Sequence, residues 1–161
     1  MADARPHKVT RRHVQRYAAP ARQVFPLICP VREKAWDPDW DCELLYSRSG
    51  FAEPDCVFRT VDEEGCEEIW YFTEHDPAAL KMQIVRVSPP SRAGKIDIAL
   101  KERGPSACEV EVTYTFVALD PEGERFLAEY TQESFAAFMT AWERALDHYL
   151  RTGERVESME F

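Results

Sequence analysis

The stretch ACEVEVTYTFVALDPEGERFLAEYTQESFAAFMTAWERALDHYLRTG, residues 107–153, changes its hydrophobic period at Asp120. Before that point Cys108, Val110, Val112, Tyr114 and Phe116 share one face, while Glu109, Glu111, Thr113 and Thr115 share the other. Such alternation marks a strand covered on one side and wetted on the other. Beyond it, Phe126, Leu127, Tyr130, Phe135, Phe138, Met139, Trp142, Leu146, Tyr149 and Leu150 recur at threes and fours, which is the stripe of a docked helix. Asp120 is a good N-cap, Pro121 fits the first helical position, Glu122 and Glu124 suit the helix dipole, and Gly153 supplies a stop. The spacing predicts one unbroken helix of about 30 residues, a rod on the order of 45 Å long. With no comparable helix elsewhere to pair with, its apolar stripe must lie on a sheet.

Working outward, Lys8 to Tyr17 reads as a first strand that runs through Ala18-Ala19-Pro20 into a short helix carrying Val24, Phe25, Leu27 and Ile28. Pro26 and Pro30 interrupt it, so a second brief helix through Val31 to Trp36 follows, and Asp37-Pro38-Asp39 makes a turn. Six strand-like segments then succeed one another: Asp41 to Arg48, Cys56 to Asp62, Cys66 to His75, Leu80 to Val87, Ala93 to Arg103 and Ala107 to Leu119. Gly- and Pro-bearing turns separate them, and such close spacing favours an antiparallel meander over parallel crossovers. The class is α+β: one strand, two short helices, six strands, one long C-terminal helix.

This order, together with Ala18-Ala19-Pro20-Ala21-Arg22-Gln23-Val24-Phe25-Pro26-Leu27 at the first strand-to-helix junction and the terminal amphipathic helix, resembles the START-like, or SRPBCC, superfamily, which includes Bet v 1-like and polyketide cyclase proteins. The resemblance covers nearly the whole chain and rests on topology and a loose junction motif, not on a catalytic signature. It implies a helix-grip fold, in which a curved antiparallel seven-stranded sheet wraps the long C-terminal helix around a cavity. It also implies one START-like domain over residues 1–161, with 1–7 and 154–161 as flexible tails. Members carry lipids, sterols, hormones or polyketides, some cyclise or dehydrate them, and one branch comprises co-chaperones. Three functions follow as expectations: a small-molecule binding protein with a mainly apolar ligand, a polyketide cyclase or dehydratase-like enzyme, and a protein-interaction module.

Composition narrows these. With 161 residues, of which 45% are hydrophobic, the chain builds one core without staples. Lys and Arg total 20 against 29 Asp and Glu, a net charge of −9, which disfavours nucleic acid and anionic lipid surfaces. The longest near-apolar run, Val24 to Val31, is too short to span a bilayer. Five cysteines without a CxxC pair read as reduced, cytoplasmic thiols, and Cys56 and Cys66, on consecutive strands, carry no expectation of a functional disulfide. Asp37, Asp39 and Asp41 open like a calcium loop, but Cys42 stands where its glycine belongs and Arg48 where its glutamate does, so no metal is expected. Cofactor motifs such as GxGxxG, GxxxxGK[ST] and HExxH are absent from the sequence, and no cofactor is expected.

The most unusual chemistry lies in Cys29 to Asp41. In the resemblance this region borders the cavity entrance. Trp36 and Trp40 then serve as flat apolar walls and Glu33 offers a carboxylate, or the indoles plug the core and Glu33 is solvated. On the sheet, Trp70 is favoured inward, which leaves Ile69 and Tyr71 on an outer face suited to a homodimer contact. Tyr114, Phe138 and Trp142 are interior candidates, for packing or for ligand contact. Among groups for acid–base chemistry, Glu33 and His75 stand first, with His75 reading as a turn residue; His13 and His148 lack a partner motif, and no catalytic residue is identified. Arg59 and Arg86 interrupt apolar strands and read as outward, with an inward role in pairing an anion as the alternative.

Overall fold

The computed structural model of the chain describes residues 7–161, so all but the last residue of the tail expected at 1–7 lies outside it. Seven strands form one antiparallel sheet in the order β1-β7-β6-β5-β4-β3-β2. They are β1 (Lys8–Tyr17), β2 (Glu43–Tyr46), β3 (Val57–Val61), β4 (Glu67–Asp76), β5 (Lys81–Ser88), β6 (Arg92–Glu102) and β7 (Cys108–Ala118). From β2 to β7 the chain meanders, as turns at Gly65 and Gly104, both at positive φ, allow. The first strand closes the order by pairing along its whole length with β7, from Lys8 opposite Val117 to Tyr17 opposite Cys108.

After β1, α1 (Ala21–Val24) and a 3-10 turn (Phe25–Leu27) pack Val24 and Phe25 into the core; a second 3-10 turn covers Arg32–Ala35. Both are brief because Pro26 and Pro30 have no N–H to extend a helix.

The single rod expected from Asp120 onward is two helices, α2 (Pro121–Glu129) and α3 (Gln132–Thr152). Asp120 caps α2 by accepting from Gly123 N–H, as its position suggests, but Tyr130 leaves the helical region with ψ of 73°. Thr131 then caps a new helix, its hydroxyl accepting from Ser134 N–H at 3.0 Å. The stripe conceals this break because Phe126 and Tyr130 stay stacked, ring centroids 5.3 Å apart, and both meet Phe116 edge-on.

The 21-residue α3 lies along β1. Buried Gln15 donates its amide to the Met139 carbonyl at 2.9 Å and accepts from the Tyr17 hydroxyl. Arg16 N–H donates to Glu143 at 2.8 Å, so the helix also covers an exposed sheet edge. Residues 154–161, expected as a tail, return to the domain: Val156 and Met159 pack against the core, and Phe161 stacks on Phe138. No helix among the described residues is long and apolar enough to cross a membrane.

Candidate ligand cavity

Alternation settles which strand residues face α3. On β7 the buried set is Cys108, Val110, Val112, Tyr114 and Phe116; on β4 it is Glu68, Trp70 and Phe72; on β5 it includes Met82, Ile84 and Ser88. Parts of these faces and the near side of α3, with Phe135, Phe138 and Trp142, enclose a cavity of about 630 Å³. Small-molecule sites span roughly 300–1,000 Å³. The sheet lies close behind it: Phe116 rests on Gly94, where an added Cβ would come within 2.6 Å of its ring.

The segment from Ile28 to Asp41 closes one wall. Trp40 donates its indole N–H to the Pro30 carbonyl at 2.8 Å and meets Trp70 edge-on at 5.8 Å and Phe58 at 6.1 Å, so its ring is fixed. Trp36 has a different fate. Its indole donates to Leu27 O at 2.9 Å, its ring stacks on Trp142 at 6.0 Å, and it is fully buried behind the wall. Trp36 is therefore a core residue and is corrected out of the candidate site.

Glu33 lines the cavity from the second 3-10 turn. Its carboxyl has no hydrogen-bond or ion-pair partner among the described residues; burial first, and the nearby Asp37 second, push its pKa well above the usual carboxylate range. Asp37, a buried residue, has its pKa raised by burial, though its Oδ1 accepts from Asp39 N–H at 2.9 Å.

Across the sheet, Arg86 points inward, against the outward expectation. Its Nε donates to Glu68 at 3.0 Å and an Nη donates to the other carboxylate oxygen, with side chains only 14% and 9% exposed. The guanidinium also lies 3.8 Å over the Trp70 ring. Arg59 does point outward, paired with Glu43 and Glu67. Two phenols complete the polar lining: burial pushes Tyr114 far up and Tyr130 up to about 12, the latter opposed by Arg86, Arg11 and Arg92.

Six of the seven sequence-stated candidates, Glu33, Trp40, Trp70, Tyr114, Phe138 and Trp142, thus line one cavity. His75 does not; it ends β4 packed between Phe25 and Phe72, and burial lowers its pKa. Neither His13 nor His148 reaches the cavity. The sequence reading does not name Glu68, Tyr130 or Arg92 as site residues; Glu68 carries a signal in its parity with Trp70 and Phe72, and Tyr130 in its place on the apolar stripe, whereas Arg92 carries none. All five cysteines are free, with Cys56 buried and Cys66 exposed.

No protein-family model matches the sequence, and no curated protein is significantly similar to it. Solved structures do match its fold. The norcoclaurine synthase of Thalictrum flavum, in complex with dopamine and hydroxybenzaldehyde, superposes with a TM-score of 0.64 over 89% of this chain and 87% of its own, at 12% identity. The Zhui aromatase/cyclase of Streptomyces sp. R1128 does so with 0.65 over 93% and 100%, at 18% identity. Ara h 8.0201 gives 0.65 over 90% and 99%, at 12% identity. At these identities the likeness establishes the fold alone, the helix-grip fold.

Proposed function

We propose that this helix-grip protein binds one small, mainly apolar molecule, a lipid, polyketide or aromatic compound, between its sheet and α3, and that it acts as a carrier or sensor in the cytoplasm. The observation that carries the reading is the space itself: about 630 Å³ stays open although many aromatic side chains surround it. An interior filled by those rings would instead have favoured a protein-interaction module. Five free thiols fit a reducing compartment. Burying ~300 Å² of apolar ligand at ~25 cal/mol/Å² gives about 7 kcal/mol before association costs, so micromolar or weaker affinity is the expected scale. Native mass spectrometry and titration with N-phenyl-1-naphthylamine test the reading; no bound species in either experiment overturns it.

Glu33 favours a second reading, an enzyme of the cyclase or dehydratase kind. A carboxyl whose pKa is raised by burial can, beside a substrate, donate a proton to a carbonyl or departing hydroxyl and take one back. Solved proteins of this fold include a synthase and an aromatase/cyclase, which supports the precedent without naming a reaction. Incubation of the protein and its Glu33→Gln variant with a linear triketone, read by mass spectrometry for dehydrated or cyclised product, tests it. Equal product from both variants removes Glu33 from the chemistry. On the outer sheet face Tyr46 and Tyr71 are exposed, and they are the surface a homodimer would use; light scattering over a concentration series reads that state.

A further inference from the structure

We propose that Arg92 makes one wall of the cavity an oxyanion subsite, so that the molecule taken up is an apolar body bearing a single oxyanion. The inference rests on the ligand-binding reading above and narrows it. Arg92 opens β6 and lines the cavity, with its guanidinium 3.9 Å over the Phe126 ring and its Nε buried without an acceptor. Among the described residues the side chain makes no hydrogen bond and no ion pair. It differs in this from Arg86, the other cation on the cavity, which Glu68 neutralises.

Most carboxylates on the cavity are engaged elsewhere, and Asp39 is exposed on the Ile28 to Asp41 segment. Asp62 accepts from the backbone N–H groups of Glu64 and Cys66 at 2.9 and 2.8 Å, Asp37 from Asp39 N–H, and Asp41 sits 3.6 Å from Lys34. Glu33 lies on the other wall and burial favours its neutral form. Beside Arg92, Tyr130 stacks on Phe126 and lines the same cavity, its phenol without an acceptor among the described residues, while Arg11 donates to the Tyr130 carbonyl at 2.9 Å. A neutral ligand would strip water from this guanidinium and leave it unpaired, which is costly; an oxyanion supplies the acceptor that Arg92 and Tyr130 lack.

The test compares two probes with one skeleton. 1-Anilinonaphthalene-8-sulfonate carries an oxyanion; N-phenyl-1-naphthylamine does not. The sulfonate is expected to bind about tenfold more tightly than the amine. Arg92→Gln should abolish that preference by weakening the sulfonate and tightening the amine, which no longer strips a guanidinium of water, and Arg92→Lys should keep part of it. Equal weakening of both probes by Arg92→Gln, or an unchanged preference, overturns the subsite while leaving the cavity reading intact. Failure of both probes on the unmodified protein overturns both. Should Arg92→Gln not fold, competition on the unmodified protein decides: dodecanoate must displace the amine at about tenfold lower concentration than dodecanol, and the reverse order overturns the proposal.

Discussion

Glu33, half-buried on the cavity wall, carries a carboxyl without a hydrogen-bond or ion-pair partner among the described residues. Its pKa is raised on folding, so the native protein holds a proton that the unfolded chain has released, and stability falls as pH rises above the unfolded value of about 4.3. Glu33→Gln is expected to flatten that fall, leaving the variant about 1 kcal/mol or more above the parent at about pH 8, as urea titrations at about pH 5 and pH 8 will show. The Glu68–Arg86 pair poses the opposite case, two charges that are buried but matched. Glu68→Gln should cost about 3 kcal/mol in urea by leaving the guanidinium without its counter-charge, whereas the double change Glu68→Leu with Arg86→Met should regain most of the loss. A double variant as unstable as the single one would mean that packing, not charge, is lost. This pair was partly legible: Glu68 has the parity of Trp70 and Phe72, and Arg86 that of Met82 and Ile84. A charged strand residue usually faces water, which is why the outward reading of Arg86 stands first in the sequence, and only the register across β4 and β5 brings the two charges together.

At the scale of elements, the strands were readable nearly to their ends, because a sheet with one wet face imposes period two on the sequence and β7 obeys it throughout. The junction between α2 and α3 was not, since an apolar stripe continues across a break whenever the two helices dock on the same surface. Thr131 was the available signal, a capping residue three positions before Ser134. Thr131→Ala should therefore destabilise by about 1 kcal/mol, a fall in Tm of about 2–4 °C for a domain of this size; an unchanged Tm would mean that tertiary packing alone sets the break. A sharper effect belongs to Gly123, whose added Cβ would come within 2.0 Å of the Ser91 carbonyl oxygen. Because backbone meets backbone there, Gly123→Ala should undock α2 from the β5–β6 turn, and calorimetry should show a larger loss than for Thr131→Ala. Trp36 and Trp40 illustrate the same limit for the site. Both stand in one segment with equal claims, and which indole lines a cavity depends on how the 3-10 turn before Trp36 and the Pro38–Asp39 turn before Trp40 direct each ring, something spacing alone does not encode.

For the whole molecule, an open interior changes what mutation and ligand each do to stability. A domain of this length has packing to spare, so it tolerates a hollow of about 630 Å³, but the atoms around that space forgo the contacts a solid core would provide. Two opposite routes should recover them. A bound apolar molecule at about 100 times its Kd adds about 2.7 kcal/mol, which corresponds to a rise in Tm of roughly 5–10 °C. A side chain grown into the hollow should act without any ligand: Ile84 is buried, faces the cavity and stands opposite Phe72 and Ile96 in register. Ile84→Trp is thus expected to match or exceed the unliganded parent in Tm, to lose fluorescence enhancement with N-phenyl-1-naphthylamine, and to show no thermal shift on adding it. The paired outcome is what discriminates. A variant that is merely damaged loses both stability and binding, whereas a filled cavity separates them, because the substituted indole then occupies the volume in which the ligand would otherwise release its hydration water.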